Sequence, residues 1–413
     1  GDSNWGYDGS YPYAVQASYG GPTELKKLVD ACHQRGIAVI LDVVYNHFGP
    51  EGCYIEDFAP YWTDRYQTPW GRAVNFDGAH SDGVRNFFIE NALYWLRDYH
   101  IDALRLDAVH AIYDFGAKHF LAELAMAIAS FSQEQGRRYY LIAESDLNDV
   151  QVIQPLEKRG YGIDAQWSDD FHHALHTILT GERTGYYEDF GHLQQLAKAY
   201  RSSFVYSWQY SVHRQRFHGS DASFCPPFQF IVYTQNHDQI GNRMWGERLS
   251  HLVSFEKLKL AAGALLLSPY IPLLFMGEEY GEDAPFLYLI SHTDSDLVQA
   301  VREGRQREFA PFHDKDEPPD AFSLETFQKS KLNWEQRQQG KHQVLLVLHR
   351  ELIRLRRDIP ALGIGDRAQL KVNCLEEQKV LLIQRWHEAS QVLIGLNFGD
   401  RAASIRPQLP PGL

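Results

Sequence analysis

Apolar positions along the chain recur with two periods that take turns. Pro22 suits a first helical position and Glu24 a first turn. Leu25, Leu28, Val29 and Cys32 then follow at i, i+3, i+4 and i+7, predicting a helix that stops near Gly36. The continuous run from Ile37 to Val44 predicts a strand buried on both faces, as in parallel sheets covered by helices. The alternation repeats. Phe88, Ala92, Trp95, Leu96 and Tyr99 mark a helix before the strand Ile101 to Leu106, and Phe120 to Phe131 is helical before the strand Tyr139 to Ala143. A short strand around Ile163 to Trp167 precedes a helix from Asp170 to Leu179. Phe230 to Thr234 reads as a strand, and the helix Leu258 to Leu267 leads into a sixth, Ile271 to Met276. Strands separated by helices imply βαβ units and a parallel sheet.

Some segments break this rhythm. Residues 1–21 are rich in Gly and Tyr and read as loop. Residues 45–80 form a long connection holding Tyr54, Phe58, Tyr61, Trp62, Tyr66, Trp70 and Phe76. Residues 278–341 are longer still and strongly charged, with a polar stretch at 302–320. Long ordered loops in compact domains are usually functional. After a helix with Leu345, Leu348, Leu352 and Leu355 on one face, Val380 to Ile383 and Val392 to Asn397 read as short strands without helices, part of a small antiparallel β domain. The division read from the chain is a catalytic (β/α) part at 1–364, with 45–80 an inserted aromatic region, and a partial β domain at 365–413.

Composition narrows the function. With 413 residues, 44% hydrophobic and 23% charged, the chain is globular and long enough for a barrel of about 250 residues. Its 40 Lys and Arg against 53 Asp and Glu give a net charge of −13, which argues against nucleic acid or an anionic membrane as partner. No apolar run approaches the ~20 residues of a membrane span. Cys32, Cys53, Cys225 and Cys374 have neither paired nor metal-ligand spacing and read as thiols of a reducing compartment, the cytoplasm. The chain opens without Met or a signal-like segment, and the expectation is that the natural N-terminus lies upstream.

Several strands end on an acid or just short of one: Asp42, Asp107, Glu144, and Asn236-His237-Asp238. A lone Asp at such a tip more often caps the next helix. Acids at four tips beside His47, Arg105 and His237 point instead to the carboxyl-end mouth of a parallel α/β barrel. Clustered carboxylates repel and raise each other's pKa, a costly arrangement that glycoside cleavage requires. One carboxylate serves the anomeric carbon and one carboxylic acid the leaving oxygen. Arg105 and Asp107 share a strand face at i, i+2, a spacing expected to keep Asp107 ionised.

Four short stretches, DVVYNH (42–47), LRLDAVH (104–110), IAES (142–145) and QNHDQIG (235–241), stand in order, their acids 65, 37 and 94 residues apart. In these the chain resembles the α-amylase family of glycoside hydrolases. The resemblance implies a TIM (β/α)8-type barrel, here incomplete, with strands 3 to 8 present and a C-terminal antiparallel β domain partly truncated. It implies Asp107 as the nucleophile, Glu144 as the general acid/base and Asp238 as the third carboxylate. It also implies substrate contacts at Tyr7, His47, Arg105 and His237. His110, three residues past the nucleophile, is a further substrate-binding candidate. Asp42 and Asn46 are given structural roles, and no metal or cofactor is implied.

The stretches NWGYDG, DVVYNHFGPEG, DAQWSDDFHHALH, QNHDQIGNR, HTDSDLVQAVREGRQREFA and FQKSKLNWE resemble the subgroup that hydrolyses maltooligosyltrehalose and releases trehalose. The acids alone do not separate water from a sugar acceptor, so a glycogen branching enzyme stays open. A non-catalytic glucan-binding homologue would be expected to lack one of Asp107, Glu144 and Asp238. His172, His173 and His176 share a predicted helix, but no partner at zinc spacing accompanies them. The aromatics from Tyr54 to Trp70 fit either glucose stacking or a packed lid. An incomplete barrel would leave exposed apolar edges at the Ile37 and Ile271 strands.

Overall fold

A computed structural model of the chain describes residues 3–309 and 317–405. The first two residues of the opening loop, part of the polar stretch at 302–320 and the C-terminal run from Gln408 lie outside the described residues. The chain divides into two units, residues 1–167 with 289–303, and residues 168–288 with 304–413.

In the first unit, α1 (Gly21–His33) leads to β1 (Ile40–Val43), the hairpin β2 (Trp62–Thr68) and β3 (Gly71–Val74) follows, and α2 (Ser81–Asp98) precedes β4 (Ala103–Leu106). Then come α3 (Phe120–Gln135), β5 (Tyr140–Ala143) and β6 (Ala165–Trp167). The four strands run parallel in the order β1-β4-β5-β6, with Asp42 opposite Arg105 and Arg105 opposite Ile142. β4 is buried at every position, as a central strand should be. β1 corrects the sequence reading: it is shorter than the run 37–44 and not buried on both faces. It pairs only with β4 in this unit, and Ile37 and Ile40 are more than half exposed, as an edge strand leaves them.

The region 45–80 is packed more than looped. Phe76 stacks on Phe120 at 4.2 Å and meets Phe88, while Tyr45 and Phe48 also reach Phe88. Asn91, fully buried on α2, accepts from Tyr45 Oη and donates to the Pro12 carbonyl, which satisfies its amide inside this aromatic core. Of the two readings of its aromatics, Tyr61 and Trp62 belong to the packed core, while Tyr54 and Phe58 face solvent.

The second unit begins with α4 (Asp169–Thr180), α5 (Leu193–Ser202) and a hairpin of β7 (Gln209–Ser211) and β8 (Arg216–His218). β9 (Phe230–Val232), α6 (His237–Gly241), α7 (Leu249–Leu252), α8 (Phe255–Leu266) and β10 (Ile271–Pro272) follow, with β9 and β10 parallel. The segment 278–341, of which 289–303 belongs to the first unit, contains α9 (Ser295–Phe309) and α10 (Leu324–Lys329), and α11 (Gly340–Asp358) closes the helical part. The antiparallel sheet β11 (Leu370–Leu375), β12 (Val380–His387) and β13 (Ser390–Asn397) completes the described chain. Arg385 on β12 donates to the carbonyls of Leu267, Ser268, Leu362 and Gly363, tying this sheet to the α8–β10 turn. All six expected parallel strands occur, four in one unit and two in the other. β11 and the β7–β8 hairpin were not legible in the sequence. No helix among the described residues is long and apolar enough to cross a membrane.

Candidate active site

The first unit gathers its candidate acids at the carboxyl ends of β1, β4 and β5. The ladder runs one residue past the strands: Asp107 N–H donates to the Val43 carbonyl at 3.0 Å and Glu144 N–H to Leu106 at 3.0 Å. Both carboxylates therefore leave rigid backbone at neighbouring tips. Next to them Ala108 adopts a left-handed conformation (φ 39°), rare for a residue with a Cβ, and aims its N–H at Glu144 Oε2, 3.0 Å away.

Arg105 holds the site together. Its Nη1 lies 2.6 Å from Asp42 Oδ1 and 3.0 Å from Asp107 Oδ1, and its Nη2 lies 2.6 Å from Glu144 Oε2. The guanidinium stands 4.6 Å from the Trp167 ring centroid and 5.6 Å from that of Tyr7. Burial works against its charge, but Glu144, Asp42 and Asp107 hold its pKa well above the ordinary arginine value. Tyr7 Oη donates to Asp42 Oδ2 at 2.7 Å and accepts from Arg105. Asn46 Nδ2 donates to Asp107 Oδ2 at 3.2 Å. His47 sits between the Asn46 amide oxygen (2.6 Å) and the Tyr7 carbonyl (3.1 Å), with Trp70 stacked on its face at 4.8 Å. Burial lowers the His47 pKa.

The expectation that Arg105 would keep Asp107 ionised is corrected by its surroundings. Burial first, then the charge of Glu144, push Asp107 up to about 7, against the pull of Arg105 and the Asn46 hydrogen bond. Burial and a neighbouring carboxylate both disfavour the charged form, so Asp107 takes up a proton well above the ordinary carboxylate range.

The structure thus brings together Tyr7, His47, Arg105, Asp107 and Glu144. His110 sits on the turn after β4 with Nδ1 4.0 Å from Asp146 Oδ1. Asp238 and His237 lie in the second unit, on the first turn of α6 just beyond β9. Asn236 caps that turn, accepting from Asp238 N–H at 2.9 Å, and His237 Nε2 is 3.4 Å from the half-exposed Asp238 carboxylate. The His172–His173–His176 group is buried on α4. His176 meets Glu182 at 2.7 Å, and Glu182 also takes a bidentate pair from Arg243, so these residues are engaged in packing. Trp167 has no site role in the reading from sequence, where Trp70 is one of the aromatics that fit either stacking or packing; Asp42 and Asn46, expected to be structural, both join the network around Asp107. Position in the motif beginning at Asp42 was the available signal for Asp42 and Asn46. Only the fold could reveal Trp167.

Comparison with known proteins places this arrangement. The alpha amylase catalytic domain profile matches residues 2–68. A crystal structure from Salmonella typhimurium, of a protein provisionally named an alpha amylase, superposes with a TM-score of 0.89 at 38% identity, covering 99% of this chain and 70% of that one. A pullulanase from Paenibacillus barengoltzii shares the fold at 21% identity and a TM-score of 0.66, with 99% and 60% of the two chains covered. The chain thus has the α-amylase-type fold, with acids at neighbouring strand tips.

Curated relatives narrow it. The malto-oligosyltrehalose trehalohydrolase of Saccharolobus solfataricus is 49% identical over 372 residues, 90% of this chain and 63% of that protein. Those of Rhizobium sp. (strain M-11) and Mycobacterium tuberculosis are 45% and 43% identical over 408 residues, each 98% of this chain and 68% and 70% of theirs. The chain belongs to the malto-oligosyltrehalose trehalohydrolase family, and spans about two thirds of the length of these relatives. A 1,4-alpha-glucan branching enzyme of Bacillus caldolyticus is more distant, 31% identical over 299 residues, 68% of this chain and 40% of its own length.

Proposed function

We propose that the protein hydrolyses the α-1,4-glucosidic bond next to the terminal trehalose of a maltooligosyltrehalose, with Asp107 as nucleophile and Glu144 as general acid/base. The observation that carries this reading is the Arg105 guanidinium joining both carboxylates at adjacent parallel strand tips. The names of the relatives support the substrate. In the first step an Asp107 oxygen bonds to the anomeric carbon while Glu144 gives its proton to the glycosidic oxygen, and trehalose departs with that proton. In the second, Glu144 takes a proton from water, the hydroxide adds to the same carbon, and the ester to Asp107 breaks. One water is consumed and both carboxyl groups return to their starting state.

Asp238 is assigned as the third carboxylate, binding sugar hydroxyls. Tyr7, His47, Arg105, His110 and His237 are assigned as substrate contacts. The domain division at residue 365 stands as part of this proposal. So does a cytoplasmic setting without nucleic-acid partners, supported by the net charge of −13 and by four cysteines that no disulfide joins.

The test is incubation of the full-length protein with maltooligosyltrehalose and, separately, with plain maltooligosaccharide, followed by sugar chromatography and early NMR. Free trehalose from the first, slower attack on the second and reducing ends appearing first as the α-anomer support the reading. Branched product would favour transfer to sugar, and early β-anomer would refute the double displacement.

A further inference from the structure

Outside the reacting groups, one carboxylate in the first unit gathers an unusual number of donors. Glu51 accepts from Thr293 N–H (2.9 Å to Oε2), Thr293 Oγ1 (2.7 Å) and Asp294 N–H (2.8 Å), and lies 3.1 Å from His292 Nδ1. These donors sit on residues 292–294, some 240 positions further along the chain, in the segment 289–303 that belongs to this unit. Charge-assisted bonds are about twice as strong as neutral ones, and several on one carboxylate fix it against the segment it binds. They also hold the Glu51 carboxyl down at about 2, so it stays ionised across any working pH.

The fixed segment grips the loop that carries Tyr7. Ser291 Oγ accepts from Asn4 Nδ2 at 2.7 Å, and Asn4 Oδ1 accepts from Gly6 N–H. The second ring nitrogen of the buried His292 lies 3.8 Å from Asp8 Oδ2, one residue past Tyr7. Glu51 is tied to the same loop from its own backbone, its carbonyl accepting from Ser10 Oγ. Two residues earlier Gly49 N–H donates to the Gly9 carbonyl, and a Cβ at Gly49 would lie 2.0 Å from the Asp8 carbonyl oxygen. Tyr7 is therefore held from both flanks. Its hydroxyl and carbonyl face Asp42, Arg105 and His47.

We propose that Glu51 and the segment 291–294 are a positioning device for Tyr7: they set the loop so that the Tyr7 ring and hydroxyl stand at the angle the bound sugar needs beside Asp107. This rests on the reading of Asp107 and Tyr7 given above. Glu51 touches no reacting atom. It acts through Tyr7, and misplacement of a positioned group by about 1 Å costs up to ~100-fold in rate.

The experiment is a double-mutant cycle on the full-length protein, with Glu51→Gln and Tyr7→Ala singly and together, and with kcat and KM determined separately. The amide of Glu51→Gln keeps the shape but turns an NH2 towards donors. The expected result is a loss of about 10-fold in kcat with KM within about 2-fold. In the Tyr7→Ala background the same change should cost less than 2-fold, since nothing remains to be positioned. Thr293→Val, which deletes one donor at constant volume, should show the same pattern at about 3-fold. Equal losses in both backgrounds, or no loss in the wild-type background, would overturn the proposal. Failure of the substrate reading is separate: it shows as absence of trehalose from the unmodified protein, and the cycle then runs on whichever α-glucan it cleaves.

Discussion

Replacing Asp107 with Asn should make the protein more stable at alkaline pH while removing its activity. The buried carboxyl titrates at about 7 in the folded chain against an ordinary 3.8. The folded state therefore holds a proton that the unfolded chain has released, and stability is lost as pH rises through the window from about 4 to 7. A gap of that size corresponds to ~4 kcal/mol at 1.36 kcal/mol per pKa unit, taken as an upper figure because the neighbouring charges act on Asp107. Below pH 4 the neutral acid and the amide are near-isosteres, and the substitution should be close to neutral. Above pH 8 the wild-type site confines carboxylates that Arg105 does not fully offset, and the amide relieves one of them.

The measurement is the urea midpoint of wild type and Asp107→Asn at pH 5 and pH 8, followed by tryptophan fluorescence. The variant's advantage should grow by up to ~3 kcal/mol between the two conditions, with turnover nearly abolished at both. An advantage that does not change with pH, or a variant weaker than wild type at pH 8, would refute the reasoning. It would mean that Arg105 alone governs Asp107.

Asn46→Ala removes a hydrogen bond that favours the ionised Asp107, so the acid limb of the pH–rate profile should move to higher pH; an unmoved limb would contradict that role. Arg105→Lys keeps the charge but not the fork that meets Asp42, Asp107 and Glu144 at once, and kcat/KM should fall by ~100-fold or more in steady-state assays. Phe76→Ala, buried and stacked on Phe120, should cost ~3–5 kcal/mol in denaturant unfolding, while Phe58→Ala, 84% exposed, should change stability by less than ~0.5.

What depends on local order along the chain was readable from the residues alone. Hydrophobic period located the six parallel strands, because a strand covered by helices must be apolar on both faces over several residues. The acids at or just past the ends of those runs, with Arg105 two residues before Asp107, were legible for the same reason: strand geometry puts such residues on one side. What depends on neighbours distant in sequence was decided only by the tertiary structure. β1 is half exposed because it has a single partner in its unit: the hydrophobic run alone reads as buried on both faces, and only the family resemblance implies an exposed edge at Ile37. β11 (LKVNCL) mixes apolar and polar residues and β7 and β8 are three residues each, so they are stabilised by pairing more than by their own pattern. The proton at Asp107 was misread because Arg105 is adjacent in sequence, while the burial, Glu144 and Asp42 that outweigh it arrive through folding. Trp167 beneath Arg105, Trp70 against His47, and the grip of Glu51 on residues 292–294 likewise exist only once separate segments meet in space.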